Sequence, residues 1–543
     1  MEQLSDKRKI SIMIAIITAL FFAAINQTII GIAMPRIIAR LGGMDYYSWA
    51  ITIYLLTSTV ASILVGKLSD IYGRKPFILS GIGLFMIGAL LSGFSSSIFE
   101  LITYRAIQGA GAGVIMSTVF TAIGDLYEPR ERAKWTGVMS AVFGLSSVLG
   151  PLFGGYIVDH LDWHWVFWIF LPLGIVAFVL IMLNFPKTAK RENESVDYWG
   201  SALLTLTIVP MLLAFSWAGQ GEGKYPWASW QIIGLFAAAL AAFAIFMQVQ
   251  LRVKSPVLPL GLFKNSVFTV SNLVGFFLNA GMMGAIIYVP IFVQGVKGIS
   301  PTMAGYVAMP MSVAMLVTTA VAGQLISKTG KYKKMALIGL VIMTLGMVLM
   351  YFMKADTSIG YLIGYMIILG LGIGIAMPVF SLTVQNAVSP KMLGVATATS
   401  QLFRNLGGTI GIAVMGSVMS SNLAKRMTEQ ASANAQSAAQ MDPALKEKLA
   451  LFANPQELLD QPKIAEAMKS LPPDLQAAFE KMLDMFRETL SSAITTTFLT
   501  GAVVAAVAVV IALFLKEIPL RSAKDKMPKA AVSSKETAAS SES

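Results

Sequence analysis

The chain has 543 residues, of which 56% are hydrophobic and only 13% charged, whereas a soluble domain carries about 25% charged residues. That excludes a water-exposed globule. Its net charge of +12 sits in short loops between apolar blocks, so membrane topology accounts for it and no nucleic-acid partner is expected. With no cysteine, disulfides, thiolate catalysis and cysteine metal sites are excluded as well.

Asp6-Lys7-Arg8-Lys9 opens the first apolar run. That run is too long for a signal-peptide core and ends in Met34-Pro35-Arg36, so an uncleaved first helix is predicted. Apolar blocks then fall near 10–33, 47–68, 76–96, 98–124, 132–158, 163–185, 197–217, 231–250, 267–295, 302–326, 334–354, 358–385, 395–421 and 492–515. Fourteen blocks of bilayer-spanning length predict an all-α membrane protein. Lys67, Arg74, Lys75, Arg130, Arg132 and Lys134 lie in loops of one side, and Arg36, Arg40 and Lys297 are among the few basic residues of the other. The bias places both termini in the cytoplasm.

Two stretches nearly repeat. Gly66-Lys67-Leu68-Ser69-Asp70-Ile71-Tyr72-Gly73-Arg74-Lys75 follows block 2, and Gly323-Gln324-Leu325-Ile326-Ser327-Lys328-Thr329-Gly330-Lys331-Tyr332 follows block 10. A six-span repeat would put the copy after block 8, so two extra helices lie between the halves. The predicted architecture is six plus two plus six: a cytoplasmic N-terminus at 1–9, an N-terminal six-helix bundle at 10–185, and a linker with two extra helices at 186–251. A C-terminal bundle follows at 252–515, interrupted by an extracellular loop at 422–490, and a disordered basic tail closes the chain at 516–543. Within 422–490, Asp442-Pro443, Asn454-Pro455 and Pro472-Pro473-Asp474 punctuate helical stretches such as 475–483, which predicts a small outer cap. Linker, lid and partner-binding element all stay open as its role.

The motifs carry more. GxLxDxxGRK at 66–75 resembles the signature loop of the major facilitator superfamily. Gly66 allows close helix contact, Gly73 a sharp turn, and Asp70 with Arg74 and Asp125 forms a candidate charge cluster. In that family the loop acts as a latch on the outward-open state; a plain basic loop is the alternative. Arg105-Ala106-Ile107-Gln108-Gly109-Ala110-Gly111-Ala112-Gly113 in block 4 is similar to the family's proton-transfer motif. An arginine there requires a cavity or a partner, and backbone carbonyls are the structural alternative to a carboxylate.

Gly144, Gly150, Pro151, Gly154 and Gly155 in block 5 form GxxxxxGPxxGG, which resembles the antiporter motif of the family's exporters. Together with Trp163 to Gly174, these motifs resemble the fourteen-span drug:proton antiporter branch over roughly 10–515. The resemblance implies a major facilitator fold, alternating access and proton coupling. One departure stands out: Asn26 occupies the block 1 position where that branch carries aspartate. No block has an acid at its middle, leaving Asp70, Asp125 and Glu100 as candidate proton carriers. Asn26, Gln108 and Arg404 are candidate cavity residues.

The reading is a non-enzymatic, monomeric exporter of hydrophobic or cationic small molecules in the cell membrane, coupled to protons, with no cofactor or metal. A dedicated exporter of one metabolite, lipid or antibiotic is the alternative. An uptake permease, a receptor or channel, and a membrane enzyme fit less well, since no HExxH, GxSxG or phosphate loop occurs.

Overall fold

The computed structural model describes residues 5–127, 129–186, 197–218, 225–253, 256–258, 260–388, 392–433 and 461–517. The predicted tail from 518 onward, Asp442-Pro443 and Asn454-Pro455 lie outside them. No strand occurs among the described residues, beyond an isolated bridge between Ala218 and Tyr225.

Long helices follow one another as α1 (Asp6–Leu41), α2 (Tyr47–Tyr72), α3 (Arg74–Ser92), α4 (Ile98–Leu126), α5 (Pro129–His160), α6 (Leu171–Asn184), α7 (Tyr198–Trp217) and α8 (Trp230–Arg252). They continue as α9 (Ser266–Ile291), α10 (Pro301–Thr329), α11 (Lys333–Tyr351), α12 (Ile359–Asn386), α13 (Leu393–Ala433), the short α14 (Gln461–Ser470) and α15 (Pro473–Leu513). Among the described residues, 12 helical segments are long and apolar enough to cross a membrane. α2 and α4 fall outside those 12, yet run for 26 and 29 residues and carry the polar motif residues. Local sequence sets the helix starts. Ser97, Ser300 and Asn265 accept bonds from the first-turn amides of Glu100 (3.2 Å), Met303 (3.3 Å) and Val267 (3.0 Å), caps worth about 1 kcal/mol each.

The packing repeats. α1 lies against α5 and α6, and α4 against α2 and α3; in the same way α9 lies against α13 and α15, and α12 against α10 and α11. The two groups meet where α5 crosses α10 and where α2 crosses α13. The turns repeat too: Gly73 and Gly330, at equivalent places in the two copies, both have positive φ (95° and 69°), a region that favours glycine. Lys75 Nζ donates to the Met182 carbonyl (2.7 Å) and Lys333 Nζ to the Leu513 carbonyl (2.8 Å), so lysines satisfy helix C-terminal carbonyls in both halves. The side carrying these turns is termed the near side, and that of the α1–α2 turn the far side. α7 and α8 pack on each other, and α7 covers the seam between α2 and α13 through Leu204, Ile208 and Leu212.

Two boundaries differ from expectation. α13 and α15 are each 41 residues long, about 60 Å at 1.5 Å per residue and twice the bilayer core. The helical stretch at 475–483 is thus the far-side end of the last membrane helix, not part of a separate cap. Its apolar face buries Phe479 and Leu483, and α14 buries Ile464 and Ala467, in the same core as the far-side residues Val293 and Val296. Block 6 is also broken: a single turn at Trp165–Trp168 precedes α6, and Pro172 in the first turn of α6 fixes the restart.

Candidate functional site

A relay of polar side chains is buried between α1, α2 and α4. Arg105 Nη1 donates to Gln108 Oε1 (3.1 Å), and Gln108 Nε2 donates to Asn26 Oδ1 (2.9 Å). Arg105 Nε also donates to the Ala50 carbonyl at 3.4 Å, and its guanidinium stacks 4.5 Å from the centre of the Tyr54 ring. All three relay residues are at most 1% exposed. Asn26 Nδ2 and the Tyr54 hydroxyl have no protein partner, so the relay ends on a donor free to meet another group. The structure therefore unites three predicted residues, Asn26, Gln108 and Arg105, and holds the arginine through a backbone carbonyl, a neutral amide and an aromatic face. Sequence reading missed Tyr54 and Ala50, since neither carries a motif.

Glu100 is not brought to this relay. Its carboxylate accepts from Ser96 N (2.8 Å) and Ser96 Oγ (3.0 Å), closing the N-terminal turn of α4. Its spacing from Arg105 promised a neighbour, but Ser96, just before the Ser97 cap, claims the side chain first. The latch is only partly visible. Gly73 makes the predicted turn, and Arg74, buried to 8% exposure, donates to Ser69 Oγ at 2.6 Å. Gly66, Asp70 and Asp125 fall on positions whose side chains lie outside the described set.

The glycines of α5 serve two faces. A Cβ at Gly150 would overlap Thr28 of α1, and one at Gly154 would come within 2.9 Å of the Ile29 carbonyl. Thr28 Oγ1 closes the same crossing by donating to the Ser146 carbonyl (2.9 Å). Gly155 instead meets the Pro301 carbonyl and Gly144 the Leu316 side chain, both on α10 of the other half. Pro151 presents its carbonyl to Gly305 of α10, a partner the sequence did not flag. α13 repeats the arrangement, with Gly407 and Gly411 on α9 and Gly416 on Ser48 of α2, but has no proline there.

Ties between the halves gather on the far side. Tyr47 OH donates to the Ile287 carbonyl (3.0 Å), the Ser48 and Tyr288 hydroxyls share a bond (2.7 Å), Gln294 Nε2 donates to the Ile32 carbonyl (2.9 Å), and Asp159 accepts from Thr302 N (2.7 Å). These lock α1, α2 and α5 to α9, the π turn Phe292–Val296 that follows it, and α10 at that end.

Arg404 lies apart, in the near-side portion of α13. Nη1 donates to Ser381 Oγ of α12 (2.7 Å) and Nη2 to Gln401 Oε1 (2.8 Å), while Gln401 Nε2 donates to Asn405 Oδ1 (2.9 Å). Among the described residues, neither Arg404 nor Arg105 is paired with a carboxylate. No cluster of three or more potential metal ligands occurs among the described residues.

Comparison with known proteins agrees with this geometry. The profile of the Major Facilitator Superfamily matches residues 16–412. Over 528 residues the chain is 39% identical to a multidrug transporter protein, MdtP, of Bacillus subtilis (strain 168), covering 96% of this chain and 95% of that one. It is 31% identical over 522 residues to multidrug resistance protein 3 of the same organism, covering 96% and 97%. Among solved structures, a bacterial homolog of the human lysosomal transporter Spinster, in an inward-facing and unoccupied conformation, superposes with a TM-score of 0.64 at 17% identity, over 94% of this chain and 98% of that one. A D-xylose–proton symporter gives 0.55 at 15% identity, over 76% and 90%. A match over most of the sequence, on a duplicated all-helical membrane fold, settles the family: the chain is a multi-pass membrane protein of the Major Facilitator Superfamily.

Proposed function

We propose that this protein exports amphipathic drugs or toxic compounds from the cell by alternating access, in exchange for protons. The observation that carries the reading is helix α5. Its Gly150 and Gly154 hold α1 of its own half, while Gly144, Pro151 and Gly155 meet α10 of the other, so a rocking motion of the halves must pass through this crossing. Relatives named as multidrug transporters supply the substrate class. The repeated packing supports fourteen spans, with bundles at 10–185 and 252–515 and the α7–α8 pair between them. The basic near-side loops support a cytoplasmic near side, and the far-side ties then make this state closed to the outside.

In this mechanism the substrate enters from the near side, the far-side ties break, and the halves rock about the α5–α10 and α2–α13 crossings. Protons return through Asp70 and Asp125 at the near-side helix ends, and Arg105, held by Gln108, keeps a positive charge deeper in the bundle. The test is efflux from cells preloaded with N-phenyl-1-naphthylamine, with and without a protonophore. Efflux that depends on this chain and stops with the protonophore supports the proposal. Efflux insensitive to the protonophore refutes proton exchange, and inward accumulation refutes export.

A further inference from the structure

We propose that Arg404 is the docking point for an anionic group on the transported molecule, near the near-side mouth of the path between the halves. This rests on the exporter reading above and names its substrate class. The guanidinium has five donors. Two are engaged, with Ser381 Oγ and Gln401 Oε1, and both acceptors are neutral. Those bonds fix the planar fork without neutralising it. Gln401 is in turn held by Asn405, so the cluster presents amide and guanidinium donors and no carboxylate.

Three further observations point the same way. Gly275 of α9 lies beside the Arg404 stem, where a built Cβ would sit 3.5 Å from Cγ, so the facing helix bears no side chain there. Gln401 is exposed within an apolar helix, as expected of a residue facing a polar path and not lipid. Arg105, deeper and toward the far side, is likewise unpaired with any acid among the described residues, and no apolar block has an acid at its middle. The membrane interior thus holds positive groups at two depths, a field that favours anions over cations. A carboxylate, sulfonate or phosphate monoester on an apolar body matches the planar donors of Arg404.

The alternative is a strut: Arg404 ties α13 to α12 and binds nothing. The experiment measures equilibrium binding to the purified full chain in nanodiscs, with empty nanodiscs subtracted. The probes share two aromatic groups and differ in charge: 8-anilinonaphthalene-1-sulfonate is anionic and N-phenyl-1-naphthylamine is neutral. The wild type should bind the anion about tenfold tighter or more, on the scale of a charge-assisted bidentate contact. Arg404→Gln should remove that preference and leave neutral binding within about twofold, and Arg404→Lys should retain part of it. Ser381→Ala, which cuts the strut and frees a guanidinium donor but keeps its charge, should weaken the preference without abolishing it. Equal loss of both probes in Arg404→Gln, loss of preference in Ser381→Ala, or a wild type that binds the anion no better than the neutral probe overturns the proposal. If Arg404→Gln does not fold, Arg404→Lys decides: a change confined to the anion supports docking, and no change overturns it. Binding needs no gradient, so failure here leaves the export reading standing, and failed efflux with intact anion preference overturns export alone.

Discussion

Gln108 donates to Asn26 across 2.9 Å, between two side chains with no measurable exposure, and through Gln108 the asparagine is linked to Arg105. An aspartate at 26 would put a carboxylate at the end of a relay that now holds only a positive charge. A charge at about 4–6 Å is worth roughly 3–4 kcal/mol at an effective dielectric near 20. Asn26→Asp should therefore raise export of cationic compounds relative to neutral ones. Burial favours the protonated acid, so the gain should be greatest at alkaline pH and fade as pH falls. A cation-to-neutral ratio that is flat across pH would remove position 26 from the substrate path.

Arg105 combines a forked bond pattern with an aromatic face, neither of which lysine reproduces. Arg105→Ala should lower efflux by about a hundredfold or more, and Arg105→Lys should recover under about a tenth of wild-type rate, as the loss of about two charged hydrogen bonds requires. Initial rates in vesicles with matched protein levels check this. Full activity in the lysine variant would mean that position 105 needs only charge.

The two faces of α5 predict two phenotypes. Gly155→Val collides with the Pro301 backbone of the other half, a contact made when the far side closes. It should keep the protein folded, hold the far side open, and slow transport by about tenfold or more. Gly150→Val collides with Thr28 inside one bundle and should reduce the amount of folded protein instead. Thiol labelling of a cysteine placed at 48, beside Tyr288, distinguishes the two. Unchanged labelling in Gly155→Val would contradict the crossing's role.

Asp70→Asn should impair transport and leave expression largely intact, because the proposed Asp70–Arg74–Asp125 cluster biases a conformational equilibrium and contributes little to folding. Wild-type rates in the variant would sink the latch. Nearby, Gly73→Ala should cost about 1 kcal/mol or more, since its φ of 95° is strained for any residue with a Cβ.

The outer segment divides by packing. Deleting 434–460, which lie outside the described residues, should leave an inserted, folded protein, because the closure cost of a connection changes slowly with its length. Deleting 461–485 removes Ile464, Phe479 and Leu483 from the shared core and should lower stability measurably in a thermal assay. Equal stability of the two deletions would mean that the α14–α15 packing adds nothing.

The all-helical membrane fold and its duplication were legible because bilayer thickness forces apolar blocks of fixed length and the 66–75 loop marks its own copy. The glycines of α5 were legible as contacts, but not which helix each one meets: residues four apart share a face, while Gly144 and Gly155 lie on another. The true extent of α15 was hidden because its outer turns are amphipathic, and hydropathy sees only the part in lipid. Arg105 was found as a misplaced charge and Gln108 within its motif, yet its other partners, the Ala50 carbonyl and the Tyr54 ring, leave no pattern in the sequence. Ser381 and Gln401, the neighbours of Arg404, are single polar residues on two helices, and only the fold places them together.

The central claim, export driven by protons, is tested most directly in proteoliposomes with an imposed pH gradient and no other energy source. With protein oriented near side out, an acidic lumen should drive N-phenyl-1-naphthylamine inward above its equilibrium level, and dissipating the gradient with a protonophore should release it. Accumulation that persists without the gradient, or that appears only when the gradient is reversed, would contradict the account.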